Sequence, residues 1–296
     1  MRPNRYEVTE ERDKAVLMAL WKWKLLTTAA ISARFFPNRY RSRAYNRLQD
    51  LKKHGLIEQR CDERGIRHHW VLTRRGYGAV RSALPDLKED GFKSEYPEHD
   101  ALVTAFHLGD WLLGSPGGVR FFSEQQLRRL ELREYPDWVP RTEVHRPDGY
   151  WGFSMGGAIV PVALEVELTR KSNQEYEDVG FFYDEQERVE RVLWVVPTKA
   201  AADRIQANII KAARARAHIH DFVILGQFRE RCWDALIFQG PDQHQTVIEL
   251  LSRLAGHPRK SNGTQPELSP ARPVLDARKS YLKSRTKPLA SPPLEA

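Results

Sequence analysis

The stretch Arg41-Ser-Arg-Ala-Tyr-Asn-Arg-Leu-Gln-Asp-Leu-Lys-Lys-His54-Gly55-Leu56-Ile57 changes its period partway along. Up to His54, Ala44, Leu48 and Leu51 share one helical face, and Arg41, Arg43, Arg47, Lys52 and Lys53 occupy much of the remaining surface. Gly55 suits a helix end, because the left-handed backbone that closes a last turn is unstrained without a Cβ. From Leu56 the period is two: Leu56-Ile-Glu-Gln-Arg60, a polar turn around Gly65, then His68-His-Trp-Val-Leu-Thr73. The stretch therefore reads as a basic helix running into a hairpin.

Upstream, Ala15, Val16, Leu17, Ala19, Leu20 and Trp21 fit a first helix beginning near Glu11, with Thr9 as its cap. Residues 27–36 fit a short second helix stopped by Pro37. Downstream, Arg74-Arg75-Gly76 opens another helix. Three helices and a hairpin in this order predict a winged helix-turn-helix, and the pattern Leu48, Leu51, Gly55, Leu56, Ile57 with Leu72-Thr73-x-x-Gly76 resembles bacterial winged-helix DNA-binding domains over residues 10–85. From Arg34 to Lys53 there are seven Lys or Arg and one acid, Asp50, with Tyr40 and Tyr45 interleaved. Charge this one-sided is the footprint expected of phosphate binding. Arg39, Arg41, Arg43, Arg47, Lys52 and Lys53 on and before the helix, and Arg64 and Arg67 on the wing, are thus candidate contacts to double-stranded DNA.

The whole chain has 296 residues and a net charge of +8, but the charge is unevenly placed: residues 1–90 carry +9, residues 91–256 carry −6 and residues 257–296 carry +5. Positive ends around an acidic middle predict a DNA-binding domain at 1–90, a second folded domain at 91–256 and a basic, disordered tail at 257–296 rich in Pro and Ser. Cys61 and Cys232 have no partner at metal-ligand spacing, which excludes a disulfide framework or a cysteine-built zinc finger. No run of about 18 apolar residues occurs, and the start lacks a signal-peptide core. A soluble cytoplasmic protein with no membrane partner is expected.

In the middle, residues 85–97 read as a linker and His99 to Leu113 as an apolar helix. Strands are expected near 119–123, 142–146, 160–168, 192–196, 222–227 and 235–238, with helices near 173–188, 199–217 and 243–255. Alternating strands and helices of this kind predict an α/β sheet covered on both faces. Trp151, Trp194 and Trp233 are expected in its core, His145 at a strand end, and His218 and His220 on the surface.

Its chemistry lies in Arg146-Pro147-Asp148-Gly149 and in Val162-Ala-Leu-Glu165-Val-Glu167-Leu-Thr-Arg-Lys171-Ser172. On a strand, Glu165 and Glu167 project from one face while Leu164, Val166 and Leu168 project from the other. Adjacent carboxylates on an apolar strand are unfavourable unless a cation meets them. Asp148, Glu165, a strand carbonyl and waters would form an oxygen site suited to Mg²⁺ or Mn²⁺, with Lys171 beside it to orient a water or stabilise a phosphorane. Ser172-Asn-Gln-Glu175 is a capping box for the following helix.

The order Pro-Asp, then Glu-x-Glu with a nearby Lys, resembles the PD-(D/E)XK nuclease superfamily. With the winged helix ahead of it, and with Tyr176 and the strand Val192-Leu-Trp-Val-Val196, the chain resembles the bacterial replication-relaxation family over residues 10–200. The resemblance implies a PD-(D/E)XK-like mixed sheet flanked by helices and a DNA-binding protein of a plasmid or other mobile element, acting in replication, mobilisation or conjugation. It also implies catalytic roles for Asp148, Glu165, Glu167 and Lys171. The superfamily pattern places Lys two residues after the acid, where this chain has Glu167. The domain is accordingly either a Mg²⁺-dependent DNA endonuclease or a lapsed binding or dimerisation module. Alternatives are a non-enzymatic regulator of transcription or plasmid replication, and an adaptor for replication or conjugation proteins.

Overall fold

The order of elements is set by two sheets, one small and one larger. The computed structural model describes residues 11–37, 39–61, 68–108, 119–155, 158–212 and 216–254. Thr9, Arg64, Arg67, the far end of the helix expected to reach Leu113, and the tail at 257–296 lie outside the described residues.

The first part runs α1 (Glu11–Trp23), β1 (Leu25–Leu26), α2 (Thr28–Phe35), α3 (Arg41–Lys53), β2 (Ile57–Cys61), β3 (His68–Leu72) and α4 (Arg74–Val80). Strands β1, β3 and β2 pair antiparallel in that order, with Glu58 opposite Val71 and Leu25 opposite Val71 on the other side. Ala44, Leu48 and Leu51 are the buried face of α3, as their spacing requires. The helix ends in a Schellman turn: Gly55, at φ +68°, donates to Lys52 O and Leu56 N donates to Leu51 O. The Leu72-Thr73-x-x-Gly76 pattern has a steric cause. The Thr73 hydroxyl accepts from Gly76 N at 3.0 Å, which caps α4, and donates to Gly55 O at 2.6 Å. A Cβ on Gly76 would stand 1.9 Å from Leu56 O, so nothing larger than glycine lets α4 lie this close to β2.

The second part runs α5 (Pro97–Leu108), β4 (Arg120–Ser123), α6 (Glu124–Arg129), β5 (Gly149–Met155), β6 (Ala158–Val166), α7 (Asn173–Glu185), β7 (Arg191–Val196), α8 (Lys199–Ala212), β8 (His220–Ile224), α9 (Leu225–Arg231) and α10 (Val247–Leu254). Its five strands lie in chain order, β4-β5-β6-β7-β8, antiparallel from β4 to β6 and parallel from β6 to β8. The fold is thus α/β around a mixed five-stranded sheet. One sheet face, with Tyr150, Ala163 and Trp194, joins the core that contains α7 and α8 residues and also the first part of the chain. The other face, with Trp151, Leu164, Val166 and Leu193, packs against α5, α9 and α10.

Several expected elements differ. The strand expected at 142–146 is coil, and the strand that pairs with β4 is β5, whose Gly149 and Gly152 broke the apolar alternation. Gly152 is needed because a Cβ there would meet Ile159 and Trp138 at 2.8–3.0 Å. The strand expected at 222–227 begins earlier, at His220, and turns into α9, while 235–238 makes one isolated bridge, Leu236 to Thr246, instead of a strand.

The segment expected as a linker is instead laid down by specific bonds. Leu87 bridges Leu130, Glu131 N donates to Asp86 O, and Gly91 O accepts from both Trp21 Nε1 and Gln125 Nε2. The end of α1 is fixed to the second part as well. Lys22 donates to Phe121 O, Ser123 donates to Lys22 O, and buried Lys24 pairs with Asp100 at 2.9 Å and with Glu124. The described residues form one compact unit.

Candidate functional site

Two places carry the residues singled out from the sequence. The first is the exposed side of α3. Arg39, Arg41, Arg43, Lys52 and Lys53 are exposed, and none has a carboxylate partner among the described residues. Tyr40 and Tyr45 stand exposed beside them.

Arg47 departs from the expected set. Its guanidinium holds the fully buried Asp13 of α1 through both carboxylate oxygens, with Nε at 2.9 Å from Oδ1. A cation committed to a buried acid is a helix-to-helix tie, and the physical reason is Asp13, which cannot stay charged there alone. Ser42, Asn46 and Gln49, not singled out from the sequence, recur at helical spacing opposite the buried Ala44, Leu48 and Leu51 face. That i, i+4, i+7 recurrence of small polar and amide side chains was the available signal.

The second place is the end of β6. Asp148 immediately precedes β5. Its N–H donates to Leu164 O at 2.9 Å and its Oδ2 accepts from Val166 N at 2.6 Å, so the side chain closes over the strand end. Glu165 faces the α7 side, 4% exposed, and its Oε1 meets both His145 Nε2 at 2.7 Å and the Tyr183 hydroxyl at 2.6 Å. Glu167, also 4% exposed, pairs with Lys171 Nζ at 3.1 Å. Lys171 N donates to the buried Tyr176 hydroxyl, and the Ser172–Glu175 capping box opens α7. Leu164 and Val166 fill the opposite face, as strand alternation requires.

His99, in the first turn of α5, was not anticipated. Its Nε2 lies 3.0 Å from Val166 O and 3.4 Å from Asp148 Oδ1. A lone histidine opening an apolar helix gave no sign that α5 would reach the end of β6. Tyr183, eleven residues beyond the capping box serine, was likewise missed.

Electrostatically the cluster is compensated. Burial disfavours charge on Glu165, but His145, Lys171 and the Tyr183 hydroxyl together outweigh it and hold the carboxyl below its usual range. Burial raises Glu167 above its usual range despite Lys171. Burial disfavours charge on His99 too, yet its bonds to Asp100 and Asp148 raise it well above an ordinary histidine. Lys171 is raised by Glu165, Glu167 and Asp148 against its own burial. Each acid thus has a base: Asp148 has His99, Glu165 has His145 and Glu167 has Lys171.

No group of three or more His, Cys, Asp or Glu side chains among the described residues is disposed to hold a metal ion. His218 is exposed, but His220, expected on the surface, is buried and accepts from Trp194 Nε1 at 3.0 Å. Trp151 and Trp194 are buried as expected. No described helix is long and apolar enough to cross a membrane.

No protein family, curated protein or solved structure matches this chain.

Proposed function

We propose that this chain is a duplex-DNA-binding protein of the winged helix-turn-helix kind, in which α3 enters the major groove. The observation that carries the reading is the set of exposed cations on and before α3, Arg39, Arg41, Arg43, Lys52 and Lys53, left without carboxylates among the described residues while the opposite face is buried. Unpaired cations on a rigid helix are suited to displacing the counterions of a phosphate backbone. Ser42, Asn46 and Gln49, between them, are the side chains to reach base edges, since amides read adenine in a bidentate fashion. The sequence resemblance of residues 10–200 to the replication-relaxation family supports a role on a mobile element, in replication, mobilisation or conjugation.

The test is duplex affinity against salt for the full chain. Removing Arg41 and Arg43 together lowers the slope of log K against log salt by about 1.8 if each contacts one phosphate. An unchanged slope refutes the reading and favours an adaptor role for this part of the chain.

A second reading, a PD-(D/E)XK-like Mg²⁺- or Mn²⁺-dependent endonuclease, is favoured by the gathering of Asp148, Glu165, Glu167 and Lys171 at one end of β6. The donor chemistry suits a hard cation, which takes one or two carboxylates and keeps several waters. Asp148 and Glu165 would hold it, in place of His99 and His145. When bound, such an ion activates water and neutralises developing phosphoryl charge. Lys171 and Glu167 remain as the flanking proton-carrying pair. Plasmid cleavage in Mg²⁺ or Mn²⁺ by the wild-type chain, lost in Glu165→Gln, is the expected result. Sequence-specific binding indifferent to metal and to that substitution leaves a non-enzymatic regulator.

A further inference from the structure

Beyond the end of β6, the parallel strands β6 and β7 part, and a cavity of about 220 Å³ opens between the segments that follow them. Its walls include Glu167 and Arg170 after β6, Thr198 after β7, and Ala201 and Arg204 on α8. The cavity adjoins the carboxylate cluster through Glu167, at the carboxyl ends of the parallel strands β6 and β7.

The charges of the wall are unequal. Glu167 is already met by Lys171 at 3.1 Å. Arg170 and Arg204 have no carboxylate partner among the described residues, and the Arg204 Nε is buried without a hydrogen-bond acceptor. A guanidinium donor removed from water and left unbonded is unfavourable unless something accepts from it. Other buried or half-buried cations have acceptors: Lys24 has Asp100, Arg47 has Asp13 and Arg191 has Asp242, while Lys22 and Arg216 bond backbone carbonyls. Arg204 differs in facing a cavity. The Thr198 hydroxyl caps α8 by accepting from Ala201 N at 3.2 Å, which leaves its own hydrogen free to donate toward the space.

We propose that this cavity is a phosphate-binding subsite in which the Arg170 and Arg204 guanidinium groups, with the Thr198 hydroxyl, hold one phosphate group. Planar guanidinium forks suit phosphate oxygens, and two of them with one hydroxyl match the acceptor capacity of a single phosphate. Resting on the DNA-binding reading, the phosphate belongs to a nucleic-acid strand led past the β6 carboxylates; a free phosphate or nucleotide has the same chemistry and is separated by the test. Lys171 neutralises Glu167, so the carboxylate in the wall does not repel the incoming anion.

The experiment uses the full chain in two arms. In the first, thermal unfolding is followed in inorganic phosphate and in chloride at matched ionic strength. Phosphate is expected to raise the midpoint of the wild-type chain, and Arg170→Ala with Arg204→Gln abolishes the increment. Arg204→Lys, which keeps the charge and volume, retains part of it and guards against a misfolded double variant. In the second arm, the double variant is expected to bind duplex or single-stranded DNA with a salt slope smaller by about 0.7–0.9, one phosphate contact.

A phosphate increment that survives in the double variant, or is absent from the wild type, overturns the subsite. An increment lost in the double variant with an unchanged DNA slope assigns the site to free phosphate or nucleotide and overturns the nucleic-acid source. Failure of the wild-type chain to bind DNA at all refutes the DNA reading instead, and the first arm still decides the cavity.

Discussion

Arg47→Ala separates two roles that the sequence could not tell apart. As a DNA contact, the substitution would weaken binding and leave folding alone. In the structure it does the reverse, because the Arg47 guanidinium is the partner of Asp13, whose side chain is 1% exposed. Removing one member of a buried ion pair leaves the other uncompensated, at about 3–5 kcal/mol. Arg47 itself is 22% exposed, so water can reach the vacated space and the cost falls to about 2–3 kcal/mol. For a folded unit of this size that is roughly 5–10 °C in Tm.

The assay is urea unfolding of the wild type, Arg47→Ala, and Asp13→Leu with Arg47→Met, together with the salt dependence of duplex binding. The single substitution is expected to lower the urea midpoint and leave the salt slope within error. The double substitution, which removes both charges and keeps apolar bulk, is expected to recover most of the stability. An Arg47→Ala chain with wild-type stability and a slope smaller by about 0.9 refutes the structural assignment and returns Arg47 to the DNA interface.

Gly76→Ala puts a Cβ 1.9 Å from the Leu56 carbonyl oxygen, which cannot move far because Thr73 N donates to it at 3.1 Å. A loss of about 3 kcal/mol by urea unfolding is expected, whereas Gly78→Ala two residues on, with nothing within 4 Å, gains up to about 1 kcal/mol from helix propensity. Asp221 is fully buried near Asp242, Arg191 and Arg253, and burial pushes its carboxyl up to about 7. A carboxyl raised in the folded state binds its proton more tightly than the unfolded chain does, so its contribution is present at low pH and is lost as pH rises toward about 7. Asp221→Asn is accordingly expected to flatten stability between pH 4 and 7, read from urea midpoints; an unchanged pH profile refutes it. Glu165→Ala leaves the buried Tyr183 hydroxyl and His145 without their acceptor, so it is expected to be about 2 kcal/mol less stable than Glu165→Gln. Equal urea midpoints for the two variants would contradict that geometry.

Legibility followed the range of the forces involved. The elements of the first part were readable because their signals are local: Ala44, Leu48 and Leu51 on one turn-spaced face, Gly55 at a left-handed turn, Thr73 three residues before Gly76. The glycine-rich strand β5 was not, because Gly149 and Gly152 remove the side chains that alternation depends on, and their cause, Trp138 and Ile159 against Gly152, is tertiary. The same holds at the candidate site. Glu165, Glu167 and Lys171 sit within one short segment and could be read together, whereas His99 reaches Asp148 from 49 residues away and His145 reaches Glu165 across 20. Spacing identifies acids on a strand; it does not say which bases the fold brings to them.

That distribution of bases bears on what the positive charge of this chain is for. The excess of the first ninety residues suggested phosphate binding in bulk, yet several of its cations serve the fold. Arg47 holds Asp13, Lys24 holds Asp100, and Arg81 holds Asp90. At the end of β6 the pairing is just as thorough, with an imidazole or ammonium for every carboxylate. Among the described cations left without a carboxylate are Arg39, Arg41, Arg43, Lys52 and Lys53 around α3, and Arg170 with Arg204 at the cavity beside Glu167. Charge that the fold has already neutralised has no free energy left to give to a phosphate, so affinity for nucleic acid is expected to follow these seven residues and not the net charge.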